Sequence, residues 1–137
     1  MQGNGVRRRL AGLLFGLMLV LDACADPRRV ADDSELNVYP ANYKAEILAA
    51  MHAYLNDPTG IREPAVSEPA VKSIGNSNRY LVCVRFNGKR RGSEYAGVKD
   101  IGALFIAGRF DRFIDSVHEQ CAGAAYAPFP ELGRLER

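Results

Sequence analysis

Three carboxylates, Asp111, Asp115 and Glu119, stand at i, i+4 and i+8. On a helix that spacing lines one face, and three acids in a row could hold Ca²⁺ or share acid–base work. The same pattern also describes an ordinary solvated helix face. Arg112 interrupts the row and no glycine-containing ligand loop accompanies it, so the solvated face is the preferred reading. His118 stands beside Glu119 and three residues before Cys121. A Cys–His nucleophile there would need a free, activated thiol. His52 is expected at the margin of a helix's packing face, and neither histidine is accompanied by paired C-x₂-C spacing, so zinc is not assigned. No serine lies in a G-x-S-x-G context. The sequence thus yields no catalytic residue, no cofactor and no metal site.

Lys89, Arg90 and Arg91 form a basic cluster directly after Asn87-Gly88, a strong hairpin signal. A basic loop tip could meet an anionic partner or lipid head groups, each charge adding about 1 kcal/mol near an anionic surface. It also fits a solvated loop that discourages edge pairing. These three residues are the one candidate partner-binding loop.

The address of the chain comes from its first residues. Arg7, Arg8 and Arg9 precede an unbroken apolar run, Leu10 to Leu21. That is the form of a secretory signal peptide. The run is too short to span a bilayer, which takes about 20 residues. Leu21-Asp22-Ala23-Cys24 resembles the lipobox of bacterial lipoproteins, with Leu three before the cysteine and a small residue just before it. Asp22 departs from the pattern, where a small or apolar residue is usual. The resemblance implies cleavage before Cys24 and a diacylglycerol on its thiol. Acyl chains contribute about 0.8 kcal/mol per buried CH₂, so a multiply acylated Cys24 would anchor the domain stably. The familiar inner-membrane retention signal is Asp directly after the cysteine. Here Ala25 holds that place, which favours the outer membrane over the inner. The alternative is cleavage after Ala25 at Ala23-Cys24-Ala25, which discards Cys24 and leaves a soluble periplasmic protein.

With residues 1–23 removed, three of the 18 basic and one of the 16 acidic residues go with them, and the charges balance. A nucleic-acid binder needs a basic excess to displace counterions, so that class is set aside. Of the three cysteines, both processing routes remove Cys24 as a thiol. Cys83 and Cys121 remain in an oxidising compartment and are expected to pair.

These sites require a scaffold. Residues 24–37 read as a polar tether, reaching at most ~45 Å if extended. Residues 38–137 read as one α+β domain. The apolar pattern Ile47, Leu48, Met51, Tyr54, Leu55 predicts a helix over Ala41–Leu55, stopped by Pro58. Between Ile61 and Val71, Pro64 and Pro69 allow only a short edge strand. Tyr80, Val82, Val84 and Phe86 alternate within the strongest strand, Arg79–Phe86. Asn87-Gly88 is expected to turn the chain, and Tyr95–Lys99 and Ile101–Ala107 read as two further strands. Phe110, Phe113, Ile114, Val117 and Cys121 predict a second amphipathic helix. The whole is then a helix, a three- or four-stranded antiparallel meander, a second helix and an extended C-terminal segment docked by Tyr126, Phe129 and Leu132.

Tyr39-Pro40-Ala41-Asn42-Tyr43-Lys44, Tyr54-Leu55-Asn56-Asp57-Pro58, Arg79-Tyr80-Leu81-Val82-Cys83-Val84-Arg85-Phe86-Asn87 and Tyr126-Ala127-Pro128-Phe129-Pro130-Glu131-Leu132 resemble segments of small exported proteins of unknown function from alphaproteobacteria. The resemblance implies an envelope address and carries no activity or catalytic residues. The expectation is a lipid-anchored envelope protein with a small, non-catalytic binding or structural domain and an unidentified envelope partner or ligand. The alternatives are a soluble periplasmic hydrolase built on the three acids, or a small inhibitor or ligand-binding module displaying residues 87–92.

Overall fold

The computed structural model describes residues 33–137. The signal segment, Cys24 and the first part of the expected tether lie outside them. A short helix α1 (Asp33–Leu36) is held to the sheet by the Arg79 guanidinium, 2.8 Å from Asp33. The Ala107 amide donates to the Leu36 carbonyl at 2.8 Å. The last residues of the expected tether are therefore docked.

Helix α2 (Tyr43–Tyr54) falls inside the expected span. It has neither Gly nor Pro, and Tyr43, Ile47 and Met51 make one buried stripe at a spacing of four. Leu48, Tyr54 and Leu55 pack at the margin of that core.

The sheet is antiparallel and has six strands, β1 (Arg62–Ser67), β2 (Ala70–Ile74), β3 (Ser77–Arg91), β4 (Glu94–Ile106), β5 (Arg109–Ile114) and β6 (Tyr126–Pro128). Their order is β5-β4-β3-β1-β6, with β2 also on β3. β1 and β2 lie end to end along one side of β3, Arg62 opposite Asn87 and Ile74 opposite Ser77. The α+β class stands, but the meander is larger than three or four strands.

Four local expectations change. β1 is an inner strand, between β3 and β6. Pro64 sits where the β1–β3 register shifts, so its missing N–H breaks no ladder bond, and its carbonyl accepts from the Phe129 amide at 2.9 Å. Asn87-Gly88 does not turn the chain; Asn87 pairs with Val98 inside the ladder, and its side-chain oxygen accepts from the Gly97 amide at 3.0 Å. The turn comes later, at Gly92 (φ +58°) and Ser93. The two strands expected after it are one, β4. The expected second helix is mostly β5, followed by a single helical turn, α3 (His118–Cys121).

The sheet is covered on both faces. Tyr80, Val82, Val84 and Phe86 face α2, with Ile101, Ala103 and Phe105 from β4. Phe129 and Leu132 complete that core, brought in by β6 and the short helix α4 (Pro130–Gly133). Each fully buried large side chain stabilises by about 2 kcal/mol. Leu81, Cys83 and Leu104 face the other way, beneath Val117 and Cys121. Cys83 and Cys121 meet there as a disulfide, Cα atoms 5.8 Å apart, and pin α3 to the central strand.

Candidate functional site

The long β3–β4 hairpin projects beyond β1, and the loop after α2 folds against its base. Asp57 shapes that loop. Its carboxylate accepts from the Thr59 hydroxyl and, at 3.0 Å, from the Thr59 amide. This is an Asx turn, favoured where Asp precedes Pro58 and Gly60. The Asp57 carboxyl is held well below the ordinary carboxylate range, first by the Thr59 hydroxyl, with help from Arg137 and Lys89. Lys89 reaches back from β3 to the same loop, its Nζ 3.2 Å from the Thr59 hydroxyl oxygen and 3.8 Å from Asp57.

Between this loop and the hairpin lies a groove of about 440 Å³, lined by Tyr54, Leu55 and Asn56 on one side and by β3 and β4 residues on the other. Its apolar surface comes from the Tyr54 ring, Leu55 and Ala96, with the buried Phe86 ring beneath; its charge comes from Lys89, Arg90 and Lys99. Among the described residues no carboxylate lines it. A second hollow of about 310 Å³ shares Asn56, Lys89 and Arg90, and adds Arg91, Arg137 and Asp57. Together they form one groove lined, among the described residues, by five cations and a single carboxylate. Both volumes fall at the lower end of small-ligand sites, roughly 300–1,000 Å³.

The cations differ in how far they are committed. Lys89 is half-buried and tied to Asp57 and Thr59. Arg90 meets Glu94 at 3.6 Å with both side chains largely exposed, a pairing worth little in water. Lys99 donates to the Tyr54 hydroxyl at 3.2 Å and lies over the Tyr54 and Phe86 rings. Among the described residues no carboxylate lies within ion-pair distance of Lys99 or Arg91.

The basic cluster read from the sequence therefore does border a cavity, but from a strand rather than a loop tip. The sequence reading missed Lys99, Tyr54, Phe86 and Arg137. The strand alternation that placed Phe86 inward would have put its cross-strand partner, Lys99, on the same face had the hairpin turn been located correctly.

The three carboxylates do not converge. Asp111 is paired with its neighbour Arg112 on β5 at 2.6 Å, Asp115 accepts from the Tyr54 hydroxyl at 3.0 Å, and Glu119 is exposed on α3. Among the described residues no group of three His, Cys, Asp or Glu side chains is placed to hold a metal ion. Acid–base chemistry on this trio loses its geometric basis. His52 is exposed on α2, and Cys121 is in the disulfide, which removes the Cys–His arrangement.

A second polar cluster lies on the opposite face. Arg85 forks onto Asp100, directly across the ladder, at 2.7 and 2.8 Å, and stacks 4.1 Å above the Tyr126 ring. The fork holds the Asp100 carboxyl below its ordinary value and pushes the guanidinium up. The Tyr126 hydroxyl stands beside Asp100 without a well-formed hydrogen bond; burial, then the Asp100 charge, pushes it up to about 12. Each charge here is spent on its neighbour, so the cluster fastens β6 to the sheet rather than offering a reactive group.

The chain matches no protein-family model, no curated protein and no solved structure. No helix among the described residues is long and apolar enough to cross a membrane.

Proposed function

We propose that the chain is an exported cell-envelope protein, held to a membrane by lipid on Cys24, whose folded domain is a non-catalytic binding module. The outer membrane is the favoured site, facing the periplasm. The observation that supports binding is the groove between the α2 loop and the β3–β4 hairpin, where cations outnumber carboxylates, and Lys99 and Arg91 lack a carboxylate partner among the described residues, beside a partly apolar hollow. Small-ligand sites combine an apolar wall with a few convergent polar groups in this way.

The layout supports the anchored reading. The described residues begin at Asp33, beside Arg79, and the groove lies around Lys89 on the same strand. Ten residues of strand separate them, about 30 Å at the usual rise. On the anchored reading, a groove this far along β3 from Asp33 is open to a ligand in the periplasm. The disulfide suits an oxidising compartment.

Replacing the cysteine tests the address. Cys24→Ala should move the protein from the membrane fraction to the soluble periplasmic fraction, with the fold and groove unchanged. A wild-type protein already soluble and beginning after Ala25 would overturn the anchored reading.

A further inference from the structure

We infer that the groove takes a monomeric amphiphile with an anionic head; the inference rests on the binding-module reading above and names its ligand class. The groove has two unlike parts. Leu55, the Tyr54 ring and Ala96 present an apolar wall above the buried Phe86 ring, and Gly88 keeps the floor open, since a Cβ there would crowd that ring at 3.3 Å. Lys99 and Arg90 border the same hollow, one without a carboxylate partner and the other with only an exposed, long contact. An apolar body against the wall would shed water from both surfaces, and an anionic head would supply the charge that Lys99 lacks. A neutral apolar ligand would leave these cations uncompensated. A small hydrophilic anion would leave the wall wet.

The monomer is favoured over a lipid leaflet. A hairpin that docks on a bilayer needs apolar side chains at its tip. This tip is Gly92-Ser93-Glu94, flanked by Arg90 and Arg91; its net positive charge could attract an anionic surface, but it has no apolar side chain to insert. The ligand's apolar part must therefore enter the hollow singly.

The test uses the unreduced, purified protein and backbone amide NMR. The probes are sodium dodecanoate below its micellar concentration, 1-dodecanol, triglutamate, and vesicles of phosphatidylcholine with phosphatidylglycerol. The expected result is saturable shifts confined to Leu55–Asn56, Phe86–Arg90 and Ala96–Lys99 with dodecanoate. Dodecanol should bind at least about tenfold more weakly, the loss expected when a charge-assisted contact is removed. Lys99→Met, which keeps the stem over the rings, should weaken dodecanoate and not dodecanol. Equal binding of dodecanol, or binding to vesicles with none to monomer, overturns the inference. Triglutamate shifting the same residues while dodecanoate does not overturns the ligand class and leaves the binding module standing. Shifts at the groove with none of the probes overturn both, whatever the membrane fractionation shows.

Discussion

Lys99 stands directly across the ladder from Phe86, its ammonium 5.3 Å from the Phe86 ring and 5.1 Å from the Tyr54 ring. The Tyr54 hydroxyl accepts from Lys99 and donates to Asp115, so one phenol links α2 to β4 and to the segment after β5. Tyr54→Phe removes both bonds and keeps the ring. Because these groups are reachable by water, the expected cost is about 1 kcal/mol or less in denaturant unfolding. A cost of several kcal/mol would mean that the Tyr54 hydroxyl is a structural keystone rather than part of the groove wall.

Gly102 has no room for a methyl group. A Cβ there would lie 2.7 Å from Leu81 Cδ1, 2.9 Å from Val117 Cγ1 and 3.0 Å from Ile114 Cγ1. These contacts are in the packed layer beneath α3, so Gly102→Ala should destabilise by about 1–3 kcal/mol through overpacking. Gly75→Ala meets nothing within 4 Å but sits at φ +60°, so its cost should come from the backbone alone, about 1 kcal/mol. A Gly102→Ala cost below about 1 kcal/mol in urea melts would contradict the packing at Gly102.

Three phenols, Tyr39, Tyr43 and Tyr126, are raised, the last two furthest. Burial, then the hydrogen bond to Glu68 at 3.1 Å, pushes Tyr43 up to about 12, and burial does the same for Tyr126. A folded value raised above the unfolded value near 10 contributes stability that is complete below pH 10 and is lost as the pH rises toward 12. Ultraviolet phenolate titration should therefore show at least two tyrosines, Tyr43 and Tyr126, ionising near the alkaline unfolding transition. Glu68→Gln should lower the Tyr43 midpoint, though not to 10, because burial remains, and should leave Tyr126 in place. Six tyrosines titrating together near 10 would refute the burial of both.

The Cys83–Cys121 bond closes 38 residues. Loop-closure entropy for that length corresponds to about 4 kcal/mol of stability. Both residues are buried, so reduction should be slow in the folded state, and Cys83→Ala with Cys121→Ala should lower the unfolding free energy by roughly that amount. A loss under about 1 kcal/mol, by guanidinium unfolding, would mean that β3 and α3 stay together without the bond.

Much of the scaffold was legible because its apolar periods were unambiguous. Helix α2 was legible from Ile47, Leu48, Met51, Tyr54 and Leu55 on one helical face, and β3 from the strict alternation of Tyr80, Val82, Val84 and Phe86. The failure over Arg109–Cys121 has a physical cause. The β4–β5 register shifts between Leu104 and Phe105, which leaves Asp111 as an extra residue. Phe110 and Phe113 thereby fall on the same face, their rings 4.8 Å apart. A spacing of three with shared burial is also a helix signature, so a bulged strand imitated one. Ile114, Val117 and Cys121 then pack on the opposite face of the sheet, a division that no single periodicity can express. The groove was half legible. Lys89 and Arg90 were visible as a charge cluster, whereas Lys99 entered only through the ladder register that the displaced turn concealed.

The central claim is an anchored, disulfide-braced binding domain. Its most direct test is the intact mass and N-terminal peptide of the protein recovered, without reduction, from separated membrane and soluble fractions. The predicted product is membrane-bound, begins at an acylated Cys24, and lacks the two thiol hydrogens of Cys83 and Cys121. A soluble product beginning at Asp26 would contradict the anchor, and free thiols at Cys83 and Cys121 would contradict the brace.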